Sequence, residues 1–192
     1  MSVLVTGGAG YIGAHMTLAL ADAGEPVVVL DNLCTGFDWA VDPRATLVVG
    51  DIADQALVRR LIAEHDVTDI IHFAGSVVVP ESVSDPLKYY RNNTAASRSL
   101  IEAAVDAGVP RFLFSSTAAV YGNVGDAPVT EDTPLQPVSP YGRSKLMTEL
   151  MLEDVAAATG LKYGALRYFN VAGADPRGRA GQSTAAATHL IK

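Results

Sequence analysis

Apolar residues along the chain fall into short runs separated by stretches of a different rhythm. Runs rich in β-branched residues, each closed by a small or acidic residue, recur at Val3–Thr6, Val27–Asp31, Thr46–Gly50, Asp69–Phe73, Arg111–Ser115 and Lys162–Asn170. Near-continuous apolar strands of this kind suit a sheet buried on both faces. Between them the spacing turns helical. Ile12, Met16, Ala19, Leu20 and Ala23 fall on one face of a predicted helix that stops at Gly24. A second helix is expected from about Ala53 to Glu64. A third opens on the N-cap and N1 pair Asp85-Pro86 and runs to about Ala107, and a fourth spans about Pro140 to Ala158, before Gly160. Strand and helix alternating in this way predict an α/β fold, a doubly wound parallel sheet with right-handed crossovers. The proline-punctuated stretch Tyr121–Pro140 is the one long irregular segment, a length that often serves function. The tail from Ala172 to Ala187, rich in Gly, Ala and Arg, reads as a loop leaving the domain.

The 192 residues suffice for one domain with a substantial core, and the composition, 49% hydrophobic and 18% charged, is that of a globular chain. A formal net charge of -7 argues against a nucleic-acid backbone or an anionic membrane as the main partner. It leaves room for a small phosphorylated ligand, which backbone N–H groups can hold whatever the global charge. The single cysteine, Cys34, excludes an internal disulfide and fits a reducing, cytoplasmic location. No targeting segment is expected ahead of the first strand, and no apolar run is long enough to span a bilayer. His15, His65, His72 and His189 lack ligand-type spacing, so no metal site is expected.

Candidate chemistry begins at the first strand-to-helix junction. Gly7, Gly10 and Gly13 follow a G-x-x-G-x-x-G spacing. Such a turn lets backbone touch a pyrophosphate and aims a helix N-terminus at its charge. Asp31 closes the second strand, where a carboxylate accepts hydrogen bonds from the adenosine ribose. It would repel a 2′-phosphate, and no arginine follows before Arg44, so NAD is favoured over NADP. Asp51 ends the third strand, placed to meet the adenine or to cap the next helix. Phe73-Ala74-Gly75 ends the fourth, where small residues let a cofactor cross the sheet edge. Together these signals predict a Rossmann-type, dinucleotide-binding sheet.

Tyr141 and Lys145 form Y-x-x-x-K and share one face of the fourth helix. A free tyrosine titrates near 10, and serving as a base near neutrality needs a downward shift of roughly 3 units, or about 4 kcal/mol. A nearby ammonium and a positive nicotinamide are the surroundings that could supply it. The fifth strand ends in Ser115-Ser116-Thr117, and a hydroxyl there can hydrogen-bond the reacting oxygen. Strand-end capping is the ordinary role of Ser115 and Ser116.

VLVTGGAGYIG (3–13), LDNLCTG (30–36), GDI (50–52), IIHFAG (70–75), FLFSSTAAVYG (112–122), SPYGRSKLMTE (139–149) and LRYFNVAGADP (166–176), with the YY and NN pairs at 89–93, resemble the UDP-glucose 4-epimerases of the extended short-chain dehydrogenase/reductases. The resemblance covers almost the whole chain. It implies NAD held by Gly7, Gly10, Tyr11, Ile12 and Gly13, by Asp31, Asn32, Leu33, Cys34, Thr35 and Gly36, and by Asp51 and Ile52. It extends the site to Phe73, Ala74, Gly75, Ser76, Val77 and Asn92, with Tyr141, Lys145 and Phe169 near the nicotinamide. Asn170 and Thr117 match positions that meet the UDP-sugar, and the resemblance assigns the catalytic hydroxyl to Thr117 beside Tyr141 and Lys145. The implied reaction is redox without net redox: Tyr141 takes the proton of the sugar 4-hydroxyl while C4 yields hydride to NAD. The 4-keto sugar turns over and takes the hydride back on its other face.

Two positions depart from the family pattern. Thr117 stands where serine is usual, which keeps the hydroxyl, and Val77 replaces a lysine common in some members. Family members are also far longer, and the resemblance implies that their C-terminal portion supplies most of the uridine-diphosphate pocket. Residues 1–171 are therefore expected to form the NAD-binding domain with the Tyr-Lys pair, and 172–192 the start of a substrate portion that is largely missing, as in a fragment or a natural truncation. Epimerisation is expected to be impaired accordingly. The alternatives are a catalytically silent NAD-binding module and another extended reductase acting on nucleotide sugars. Ala118 and Ala119 disfavour a dehydratase, which needs an acid/base pair there. The family pairs subunits through the third and fourth helices, which here carry Leu87, Tyr90, Leu100, Ile101, Leu146, Leu150 and Met151, and a homodimer is expected.

Overall fold

Every residue of Ser2–Thr6 (β1) and Val27–Asp31 (β2) is buried, because each strand is covered on both faces. In the computed structural model, which describes residues 1–126 and 128–184, four further strands extend this pair. They are Thr46–Val49 (β3), Val67–His72 (β4), Arg111–Ser115 (β5) and Lys162–Leu166 (β6). All six run parallel in the order β3-β2-β1-β4-β5-β6, the expected Rossmann-type sheet. The strand order reverses between β1 and β4, and doubly wound sheets open a ligand crevice at such a point, beyond the strands' C-terminal ends.

The helices are Tyr11–Asp22 (α1), Gln55–Glu64 (α2), Val79–Ser84 (α3), Pro86–Tyr89 (α4), Ala96–Asp106 (α5) and Pro140–Thr159 (α6). Right-handed crossovers that travel in opposite directions from β1 put α1 on one face of the sheet and α2, α5 and α6 on the other. The second face carries the larger core, where Leu4, Leu30, Ile70, Phe112 and Phe114 meet Val58, Leu61, Leu100, Ala104 and Leu152. Helix starts are fixed by side-chain caps. Asp54 accepts from Leu57 N at 3.0 Å, Asp85 from Lys88 N at 3.2 Å and Ser139 from Gly142 N at 3.1 Å. Each such cap stabilises by about 1 kcal/mol.

Four expectations need correction. The buried face of α1 is Gly13, Ala14, Thr17 and Leu18, and Ala19 and Ala23 are exposed. Three of these four are small, because the start of the helix packs tightly on the glycine turn. The third expected helix holds a π turn, Tyr90–Ala95, between α4 and α5, and α3 precedes it. Strand β6 stops at Leu166 instead of Asn170: Ser116 N turns back to Phe114 O at 3.1 Å, which ends the regular ladder at Ser115 and Leu166, and contact resumes only at Ala118 N to Tyr168 O, 3.0 Å. The described part of the tail does not leave the domain. Tyr11 OH donates to Gly173 O at 2.5 Å, and Arg177 and Arg179 pair with Asp22 at 2.8 and 2.9 Å. His189 lies outside the described residues.

Candidate active site

The glycine turn joins β1 to α1 against the backbone of the β4 loop. Gly7 has φ +71°, and a Cβ there would sit 2.5 Å from Ala74 N. A Cβ on Gly13 would meet Gly7 O at 2.1 Å, so helix and turn touch with no room for a side chain. Gly10 differs. Its Cβ would meet only Gly7 O, at 3.4 Å, so the protein itself does not demand a glycine there. Gly10 is the N-cap of α1 and the first turn of that helix carries no acidic residue. An open backbone cradle at a helix N-terminus fits a dinucleotide's pyrophosphate.

Asp31 is buried at the end of β2 and already holds the loops around it. Its two oxygens accept from Ala9 N at 3.0 Å and Leu33 N at 2.8 Å, tying the glycine turn to residues 32–36. Phe37 N donates to Ala9 O at 3.0 Å and closes that loop over the turn. Asp51 accepts from Asn32 Nδ2 at 3.2 Å and Ala53 N at 2.9 Å, whereas Asp54 caps α2. Ile52 is buried beside it.

Beyond β4, Phe73 and Ala74 donate from their backbone N–H groups to Thr6 O, at 2.9 and 3.1 Å. The loop continues through Gly75, Ser76 and Val77 and is clamped by the π turn. Asn92 Nδ2 reaches Ser76 Oγ at 3.2 Å. Buried Asn93 accepts from Ser76 N at 2.7 Å and donates to Ser144 Oγ on α6 at 3.0 Å. Asn93 is missing from the sequence-derived site although its neighbour Asn92 is in it. A π turn is not visible in residue spacing, and π turns often mark functional sites.

On α6, Tyr141 lies beside the Thr117 side chain, and the backbone after Thr117 packs on the same turn, where a Cβ on Gly142 would meet Ala119 O at 2.8 Å. Burial raises the Tyr141 phenol above its usual value, and the neighbouring Thr117 hydroxyl works against that rise. The downward shift that the sequence calls for is thus not produced by the protein's ligand-free surroundings. Lys145 is buried and donates to Ser115 O at 2.9 Å, with its ammonium 4.9 Å from the Phe114 ring. Burial pushes its pKa down to about 8. Beneath it lies His72, with Nδ1 2.7 Å from Thr6 Oγ1 and Nε2 2.8 Å from Ser97 Oγ, its pKa lowered to about 3 by burial and by Lys145. Phe169 and Asn170 are both exposed, Phe169 to 82%, in irregular backbone after β6.

Glycine turn, Asp31, Asp51, the β4 loop, Thr117, Tyr141 and Lys145 therefore all lie along the C-terminal edge of one parallel sheet. Among the described residues no three His, Cys, Asp or Glu side chains are grouped to hold a metal ion, and no helix is long and apolar enough to cross a membrane.

Known proteins match this arrangement. A family described as "NAD dependent epimerase/dehydratase family" matches residues 3–192. The UDP-glucose 4-epimerase of Azospirillum brasilense is 57% identical over 190 residues, covering 99% of this chain and 55% of that protein. The UDP-glucose 4-epimerase of Lactobacillus helveticus is 50% identical, covering 100% of this chain and 58% of that protein. The crystal structure of the Brucella ovis UDP-glucose 4-epimerase in complex with NAD superposes with a TM-score of 0.95 at 46% identity, covering 98% of this chain and 58% of that one. The chain thus spans 55–58% of the length of these relatives.

Proposed function

Because the chain belongs to the NAD-dependent epimerase/dehydratase family, we propose that it carries the NAD site and the proton-handling groups for 4-epimerisation of a UDP-hexose. The observation that carries this reading is the grouping of Tyr141, Thr117 and buried Lys145, whose ammonium donates to Ser115 O, on the same sheet edge as an open glycine cradle. Gly10 leaves space for the pyrophosphate, Asp31 and Asp51 face the adenosine side, and the Phe73–Val77 loop with Asn92 borders the nicotinamide end. When bound, NAD supplies reversible hydride acceptance. Thr117 orients the sugar 4-oxygen, and Tyr141 removes its proton and later returns it. The positive charge of Lys145, held close to the strand end by Ser115 O, lowers the energy of the phenolate. Asn170 approaches the nucleotide sugar. NAD is expected to co-purify near stoichiometry, and Tyr141→Phe to abolish conversion of UDP-galactose to UDP-glucose while leaving NAD content unchanged. Purified protein without dinucleotide, or a Tyr141→Phe variant as active as its parent, overturns the proposal. The 192-residue chain by itself is expected to turn over slowly, since binding energy from the remote nucleotide normally orders the sugar.

The same reading includes a homodimer. Leu87 on α4 and Leu150 on α6 are exposed on the helices expected to pair, whereas Leu100 and Ile101 belong to the core. Light scattering at micromolar concentration is expected to give twice the chain mass, and Leu150→Arg to halve it; a parent protein already monomeric refutes the dimer.

A further inference from the structure

Residues 141, 145 and 149 recur every fourth position, which stacks them in one stripe along α6. Each meets one of three successive residues where β5 ends. Thr117 lies beside Tyr141, with Ala119 O packed on the same turn at Gly142; Lys145 donates to the Ser115 carbonyl, and the Glu149 carboxylate accepts from the Ser116 hydroxyl. The first two belong to the chemistry already proposed; the third plays no part in it.

Glu149 is nevertheless an expensive residue to place there. It is buried, and Arg167 holds it with two nitrogens, Nε at 3.0 Å and Nη2 at 2.7 Å. Arg167 in turn reaches Tyr121 OH at 3.0 Å and Glu131 O at 3.4 Å, so the irregular segment after β5 hangs from the same pair. Buried ion pairs are often no more stabilising than apolar residues of the same size, so stability alone is a poor reason for this one. Its geometry supplies another: it is the only charged group of the stripe that grips a side chain between Ser115 and Thr117.

We propose that Glu149, held by Arg167, is a positioning residue: by gripping Ser116 it sets the Ser115–Thr117 segment against α6 so that Thr117 meets the Tyr141 hydroxyl. The proposal rests on Tyr141 being the proton carrier, yet it concerns the geometry of the phenol and not turnover, so each can fail without the other. Besides Thr117, the groups that face the phenol are Tyr89, edge-on at 6.3 Å between ring centres, Tyr168 and Lys145 on its own helix, and none of them is altered by the test.

The test is a pH titration of the ligand-free protein carrying tyrosine labelled with carbon-13 at Cζ, with the Tyr141 resonance identified by its loss in Tyr141→Phe. Glu149→Ala is expected to raise the Tyr141 midpoint by about half a unit, the effect of losing one hydrogen bond that favours the phenolate. Removing a nearby negative charge would by itself lower that midpoint, so the sign separates positioning from simple electrostatics. Ser116→Ala removes the same grip without changing any charge and is expected to shift the midpoint upward too. It keeps the test decisive if unpaired Arg167 unfolds Glu149→Ala. Glu149→Gln, which still offers Ser116 an acceptor and loses only the charge, is expected to titrate no higher than the parent, and Ser116→Ala in a Thr117→Ala background is expected to add nothing. An unchanged or lowered midpoint in folded Ser116→Ala, or an equal shift in the Thr117→Ala background, overturns the proposal, even if every variant melts early.

Discussion

The two halves of the site are built from different materials. Around β1, β2 and β4 the cradle is backbone: glycines at 7 and 13 in contact with other main-chain atoms, and Asp31 spending both oxygens on amide N–H groups. Around β5 and α6 the site is side chain: Lys145 and Glu149 each hold a different residue of a strand end, Tyr141 lies beside a third, and His72 is underneath. A backbone cradle binds any diphosphate of the right length and leaves no residue to titrate. A side-chain ladder can tune a proton, but it does so with buried ionisable groups whose charge states depend on pH.

The largest expected effect tests the cradle. Gly13→Ala forces a Cβ onto Gly7 O and is expected to destabilise by about 4 kcal/mol or more in urea unfolding. Gly10→Ala should change stability by less than about 1 kcal/mol, since only one contact at 3.4 Å awaits its methyl, yet weaken NAD binding measured calorimetrically. Equal losses of stability at the two positions would show that the cradle is shaped by packing alone.

The next effect belongs to the ladder. Burial holds His72 neutral, its pKa lowered from 6.5 to about 3. The unfolded chain therefore binds the extra proton first as pH falls, and stability present above 6.5 drains away between there and 3. Roughly 3 kcal/mol of this falls between pH 6.5 and 4, at about 1.4 kcal/mol per unit, and His72→Gln is expected to flatten the acid side of the stability curve by that amount over that range. An unaltered slope between pH 7 and 4 would mean that the ladder is less buried in solution than its geometry implies. The smallest effect sits where the two materials meet. Asp31→Ala is expected to weaken NAD by about 1–3 kcal/mol, the penalty of orphaning hydrogen bonds to a charged group. No change would place the ribose elsewhere.

This contrast also decides what could be read from the residues alone. Requirements on backbone are strict, and Gly7, Gly10 and Gly13 announced the cradle because Asp31, Asp51 and Phe73–Gly75 close successive strands in register with them. Tyr141 and Lys145 were legible because one helix holds both. Glu149 has the same spacing from Lys145, but its meaning depends on Ser116 and Arg167, which only the fold brings near. His72 read as an unremarkable strand residue, and Asn93 was hidden by the π turn that points it at Ser76. The inward face of α1 was misread because hydrophobicity marks large side chains, and close packing on a glycine turn selects small ones. Strand β6 was drawn too long because its end is set by a bend in its neighbour.

The order of the sheet has a consequence for the growing chain. Strand β1 is made first and ends up central, paired with β2 on one side and β4 on the other. Its second edge must wait until residues 67–72 have been synthesised, so for that interval an apolar strand lies open to wrong partners. The backbone contact that closes the cradle, Ala74 N to Thr6 O at 3.1 Å, comes later still. Cofactor capture is therefore a late event in assembly, gated by long-range pairing of the slow-forming kind.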